Sequence, residues 1–330
     1  MKHTTIKIIG IYTLSIVFGG IILILPAFAS GQSSSIETPR IGLLAWSSCE
    51  WTSLFRGLRD LGYKPGETLT IECRSAGGNL NNLSTATANL VDLEVDVILA
   101  ASHLTATAAR DATDTIPIVS IVSGDPVATG LARSLAKPGG NLTGVSYYAM
   151  ELTAKRLELL KEMVPRITRV DVLTNPVTSH LPYESDTKRA GRLLDVAVKI
   201  HQISKPEDLS SAFATMKAEN AQAVFVLPNI ILAQQIPRIA ALALEHRLPT
   251  MSWSLRFTKG GFLMAYSAKY GKLMYRLAHY VDRILKGANP GDLPIEQPML
   301  FNLSINLKTA KALDIEVPQT LLLLADEIIQ

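Results

Sequence analysis

The chain has 330 residues, with 32 Lys and Arg against 29 Asp and Glu and a formal net charge of +3. Near-neutral and without a basic cluster, it excludes nucleic acid as a partner. Two cysteines and six scattered histidines exclude a structural zinc site, and no cofactor motif is present.

Lys2 and Lys7 precede an apolar run from Ile8 to Leu25, closed by Pro26 and Ala27-Phe28-Ala29. A basic start, an apolar centre and a small-x-small ending read as a secretory signal cut after Ala29. The run is long for a signal, so an uncut membrane anchor is the other reading. Either way, the chain beyond Ser30 lies outside the cytoplasm, and Gly31 to Pro39 is a Ser-rich linker. In that oxidising setting Cys49 and Cys73 are candidates for one disulfide, with two reduced thiols as the alternative.

Apolar runs then alternate with helical spacing. Ile41–Ala45, Leu69–Cys73, Val95–Ala100 and Ile116–Ile121 read as strands, separated by helices over Trp51–Leu61, Leu83–Leu93 and Thr105–Thr113. Past Pro138-Gly139-Gly140 the pattern restarts with a helix over Leu152–Met163. Strands come next at Val170–Thr174, Leu193–Val198, Ala223–Leu227 and Thr250–Ser252, with helices over Glu207–Lys217 and Leu232–Glu245. A strand at Gly261–Ser267, a long helix over Lys269–Lys286, a turn at Asn289–Asp292 and a strand near Phe301–Ile305 complete the order. Two successive sets of this kind predict an α/β protein of two doubly wound parallel-sheet lobes.

Ser123-Gly124-Asp125-Pro126-Val127 with Gly130-Leu131, followed by Ala136-Lys137-Pro138-Gly139-Gly140-Asn141-Leu142-Thr143-Gly144, resembles a block of the TrpX-like ABC transporter substrate-binding family. Glu151 to Glu162, Gly260 to Tyr266, Tyr280 to Ala288, Asp292 to Pro298 and Asn306 to Leu313 resemble its later blocks in the same order. The resemblance implies a type I periplasmic binding protein fold. Residues 40–147 and 267–295 would form one lobe, and 148–266 and 296–330 the other, with three crossovers near Tyr147, Ser267 and Glu296. It further implies a periplasmic, monomeric protein that captures a small molecule, an amino acid or related carboxylate or amide, and hands it to ABC permease and ATPase subunits. A ligand sensor for a signalling partner is the alternative. The short passage from Trp46 to Trp51 departs from the longer first loop of the family.

In open α/β sheets ligands sit beyond the carboxyl ends of the strands. That rule selects Trp46, Ser47 and Ser48, then Ser102, His103 and Thr105, then Asp125 in the first lobe. In the second it selects Asn175, Asn229, Trp253 and Ser254. Hydroxyls and amides there suit a carboxylate or amide ligand, but they are equally the ordinary helix caps. Asp125 reads as a partner for a ligand ammonium or as a turn residue before Pro126. Trp46 and Trp253 are the candidates for stacking, whereas Trp51 reads as an anchor for its helix. No nucleophile elbow, Walker loop, zinc-protease motif or dinucleotide fingerprint occurs. His103 and Asp125 lack a nucleophile to complete a triad, which leaves a periplasmic hydrolase as the weakest reading.

Overall fold

The computed structural model describes residues 38–122, 125–147, 150–178 and 182–330. The expected signal segment and most of the linker, with Ser123 and Gly124 of the first family block, lie outside the described residues. The chain from Thr38 to Gln330 is one compact unit.

The first sheet is built from β1 (Arg40–Ala45), α1 (Thr52–Asp60), β2 (Thr70–Ser75), α2 (Leu83–Asp92), β3 (Val97–Ala100), α3 (His103–Ala112), β4 (Ile118–Val122) and β5 (Leu142–Ser146). Its order is β2-β1-β3-β4-β5 and every pair is parallel. β3, β4 and β5 are buried along their whole length. That is why they read as continuous apolar runs rather than alternating ones.

The second sheet comes after it, with α4 (Met150–Met163), β6 (Arg169–Thr174), α5 (Tyr183–Leu193), β7 (Ala197–Gln202), α6 (Asp208–Ala218), β8 (Val224–Val226), α7 (Ile230–Ala233) and α8 (Ile236–Glu245). It continues through β9 (Thr250–Ser252), α9 (Leu255–Lys259), β10 (Met264–Ala268), α10 (Tyr270–Leu285), β11 (Phe301–Asn306), α11 (Leu307–Ala312), α12 (Gln319–Leu324) and β12 (Glu327–Ile329). The order is β12-β11-β10-β9-β8-β6-β7.

α10 leaves the second sheet and covers one face of the first. Leu273, Met274, Leu277, Ala278 and Val281 join Leu54 and Leu58 of α1 in one buried cluster with Leu43, Leu99 and Val119. The two helices meet at Gly57, where a Cβ would stand 2.8 Å from that of Ala278 and 2.9 Å from the Tyr275 carbonyl oxygen. The chain then returns past Glu296, whose backbone pairs with β5 through Ser146 N–H to Glu296 O (2.7 Å) and Glu296 N–H to Gly144 O (3.1 Å). Gly144 has φ +135°, and a Cβ there would lie 2.1 Å from the Ser120 carbonyl oxygen. The close approach of β5 to β4 requires glycine at that position.

Three details differ from the sequence expectations. β11 pairs antiparallel with β10, so the second sheet is mixed; its strand comes back from the other lobe instead of looping over the same sheet. The run Leu193–Val198 is not one strand. It spans the end of α5, a left-handed turn at Asp195 (φ 53°) and the first residues of β7. Leu232–Glu245 divides into α7 and α8, which lets Pro237 sit in the first turn of the second helix.

Candidate ligand-binding cleft

The carboxyl ends of the two sheets face each other across a cavity of about 180 Å³. The first lobe supplies Ala101 to Leu104 from the β3–α3 turn, Ile121 of β4, Tyr147 just past β5 and Tyr270 at the start of α10. The second supplies Pro228, Asn229 and Ile230 between β8 and α7, with Trp253, Ser254 and Arg256 at the start of α9.

Its polar wall is built from helix caps. The Ser102 hydroxyl accepts the Thr105 N–H (3.2 Å) while the Thr105 hydroxyl accepts the Ser102 N–H (3.1 Å). This reciprocal box fixes the start of α3 and turns the positive end of that helix toward the cavity. Asn229 accepts from the N–H groups of Ile231 (2.8 Å) and Leu232 (3.0 Å), and Ser254 from Arg256 N–H (3.4 Å). Capping and lining are therefore the same residues here.

Aromatic rings form the rest. Tyr147 stands edge-on to Trp253 at 6.0 Å and to Tyr270 at 6.2 Å, and Trp253 lies 5.8 Å from Phe257. The Tyr147 hydroxyl donates to the Trp253 carbonyl oxygen (3.1 Å), joining the lobes. Burial pushes this phenol up to about 12, so it stays a donor at any physiological pH. The Trp253 indole Nε1 is buried and has no hydrogen-bond partner among the described residues. Such an N–H costs free energy until something accepts from it. An aromatic, partly polar cavity with a helix N-terminus, Arg256 and an unsatisfied indole donor can hold a flat ligand that carries a carboxylate.

Of the residues selected from the sequence, Ser102, His103, Asn229, Trp253 and Ser254 meet at this cavity. The others stand elsewhere. Trp46 is buried with Leu44, Ala76 and Leu83, and Ile230 and Ile231 of the second lobe pack against the same cluster. Ser47 and Ser48 are exposed. Thr105 serves the α3 cap from behind the wall. The Asp125 carboxylate accepts from Val127 N–H (2.8 Å) and Ala128 N–H (3.2 Å), as a turn residue does. Asn175 is buried, donating to Ile203 O (2.7 Å) and accepting from Val177 N–H (2.9 Å). Cys49 and Cys73 are joined by a disulfide with Cα atoms 6.2 Å apart. Cys73 lies within edge strand β2. Tyr147, Tyr270, Arg256 and Ile121 were not among the sequence candidates. Tyr147 could have been found only by recognising β5 as a strand.

Two α/β lobes with a lined cleft at their facing strand ends are the type I periplasmic binding protein fold. Residues 50–329 match the family model described as ABC transporter substrate binding protein, and the chain belongs to that family. It is a family of substrate-binding proteins rather than of enzymes. A curated relative, the tyrosine-binding protein of Clostridioides difficile (strain R20291), is 29% identical over 269 residues, covering 79% of this chain and 75% of the relative. Among solved structures, an ABC domain from Streptococcus pneumonia in complex with L-Trp superposes with a TM-score of 0.82 at 22% identity, covering 88% of this chain and all of that one. The ligand-free, open structure of a substrate binding protein with adhesive properties from Clostridium difficile gives 0.68 at 24% identity, covering 88% and 99%.

Proposed function

We propose that this chain is the exported substrate-binding subunit of an ABC importer and that it captures an aromatic amino acid for its permease and ATPase partners. The observation that carries this reading is the cavity itself, where Tyr147, Trp253 and Tyr270 surround a space that also receives the start of α3 and Arg256. The rings would enclose the ligand side chain, the helix end and Arg256 would take its carboxylate, and Trp253 Nε1 would gain an acceptor. The names of the relatives support the ligand class, since one is a tyrosine-binding protein and another holds L-Trp. The lobes also touch across the cleft, where Ile230 and Ile231 pack against the Trp46 cluster. That is the arrangement expected of a binding protein with its ligand enclosed.

The test is a calorimetric and thermal-shift panel of L-amino acids on the chain from Ser30 onward. Aromatic members should bind with Kd about 1 μM and raise the melting temperature by about 5–10 °C at a hundredfold excess over Kd. Aliphatic and acidic members should give no shift. A panel in which no aromatic amino acid binds would sink the proposal.

A further inference from the structure

A second chamber opens beside the aromatic cavity, toward the crossovers. It encloses about 330 Å³ and shares Tyr147, Ser254 and Tyr270 with its neighbour. Its floor is the passage from β10 to α10, Ser267 to Lys269, together with Asn302 of β11. Arg56 of α1 and Lys272 of α10 wall it from the first lobe, and Ser254 and Leu255 from the second.

Three cations line this chamber, and no carboxylate does among the described residues. Lys269 shares its charge with Asp326 at 3.2 Å. Arg56 instead lies over the Tyr275 ring, 5.5 Å from its centroid, and neither Arg56 nor Lys272 has a carboxylate partner among the described ion pairs. A recess with low-dielectric walls and one sign of charge concentrates counter-ions, and a guanidinium matches an oxyanion with its fork of donors. Neutral donors complete the wall. Ser267 is 6% exposed. The Asn302 amide oxygen is buried without a partner among the described residues; turned over, that amide presents its NH₂ end to an anion.

We propose that this chamber is a binding site for a small oxyanion of the phosphate or sulfate class, and that its occupation clamps the two lobes together. Arg56 and Lys272 belong to one lobe and Ser254 and Asn302 to the other, with Lys269 at the crossover between them, so the site is complete only when the lobes are in contact. An anion that touches both sides favours that arrangement and shifts the population toward it. By linkage, anion and cleft ligand then tighten each other by the same factor.

The first measurement uses no amino acid, so failure of the cleft ligand assignment does not enter it. The protein is melted in chloride and in 10 mM inorganic phosphate at equal ionic strength. Phosphate should raise the melting temperature by about 2–3 °C. The R56Q/K272Q variant should melt like wild type in chloride and show no phosphate shift. K272A, altered at an exposed position, serves as the second variant and should lose at least about half of it. The second measurement rests on the proposed function: phosphate should tighten the Kd for an aromatic amino acid by about threefold in wild type and leave R56Q/K272Q unchanged. No phosphate shift in wild type, or an equal shift in the variants, overturns the site. An unchanged amino-acid Kd overturns the clamp, and a weakened one places the anion inside the aromatic cavity and overturns both.

Discussion

Trp253 is held by more of the molecule than ligand contact alone requires. Its ring packs against the clusters of both lobes, its carbonyl oxygen receives the Tyr147 hydroxyl, and its Nε1 has no partner among the described residues. Removing the whole side chain would confuse binding with packing, but Trp253→Phe separates them. The phenyl ring keeps most of the contacts and deletes only a donor that has no protein partner. The expected result is a ligand-free melting temperature within about 2 °C of wild type and a Kd for the aromatic ligand weakened by about 3- to 10-fold. A melting temperature that falls steeply without loss of affinity would make Trp253 a core residue. At this scale the site was half legible in the sequence. Ser102, Asn229 and Ser254 announce themselves as caps at strand ends, and a cap at the carboxyl end of a parallel strand faces the cleft. Asp125 and Asn175 carry the same signal, yet their side chains close on their own turns. Which way a cap residue is spent depends on the two or three residues after it, and periodicity does not report that.

Among the elements, β2 is the exposed edge of the first sheet, and an unpaired edge is where a sheet frays or pairs wrongly. The Cys49–Cys73 disulfide staples that edge to the passage between β1 and α1, across a separation of 24 residues. Closing a loop of that length removes unfolded-chain entropy worth about 3.5 kcal/mol in the chain-entropy model. The C49S/C73S variant should therefore melt about 5–10 °C below wild type. Dithiothreitol should lower wild type toward the variant and leave the variant unmoved; equal melting curves in all four samples would show that the bridge contributes nothing. Most helices and buried strands were readable from their spacing. β5 was not, because Leu142–Ser146 lies inside a Gly-rich block that reads as a loop, although its Gly144 serves the close approach to β4. α5 was missed for the opposite reason: its charged residues Glu184, Asp186, Lys188 and Arg189 dilute the apolar pattern, while the leucines at its end suggest a strand.

For the molecule as a whole, the crossovers determine how the lobes are joined, and their anchor is electrostatic. Arg276 of α10 donates two hydrogen bonds to Glu296, at 2.9 and 2.7 Å, and so holds that carboxyl below the usual glutamate range. In the second lobe burial pushes Asp171 up, but hydrogen bonds from His201 and Arg169 outweigh it and leave the carboxyl lowered. Groups whose folded pKa is depressed contribute stability that is complete above the unfolded value, about 4, and is lost as pH falls through the folded one. Urea midpoints should be flat from about pH 7 to 5 and fall below about pH 4.5. Glu296→Gln should shallow that acid limb without removing it, since Asp171 remains; an unchanged limb would mean that the anchor is screened by solvent. The two-lobed plan itself was visible in the restart of the α/β pattern, but the antiparallel return of β11 was not, since strand direction leaves no mark on periodicity.

The path of the chain has a further consequence for how the protein is made. The whole five-stranded sheet is complete by Ser146, yet Leu277, Ala278 and Val281, which close one of its faces, arrive more than a hundred residues later. A chain emerging from the ribosome with its N-terminus first holds that apolar face open while more than a hundred further residues are made, and cannot finish either lobe until α10 and β11 have appeared. Non-local closure of this kind keeps the nascent chain slack until late in its synthesis.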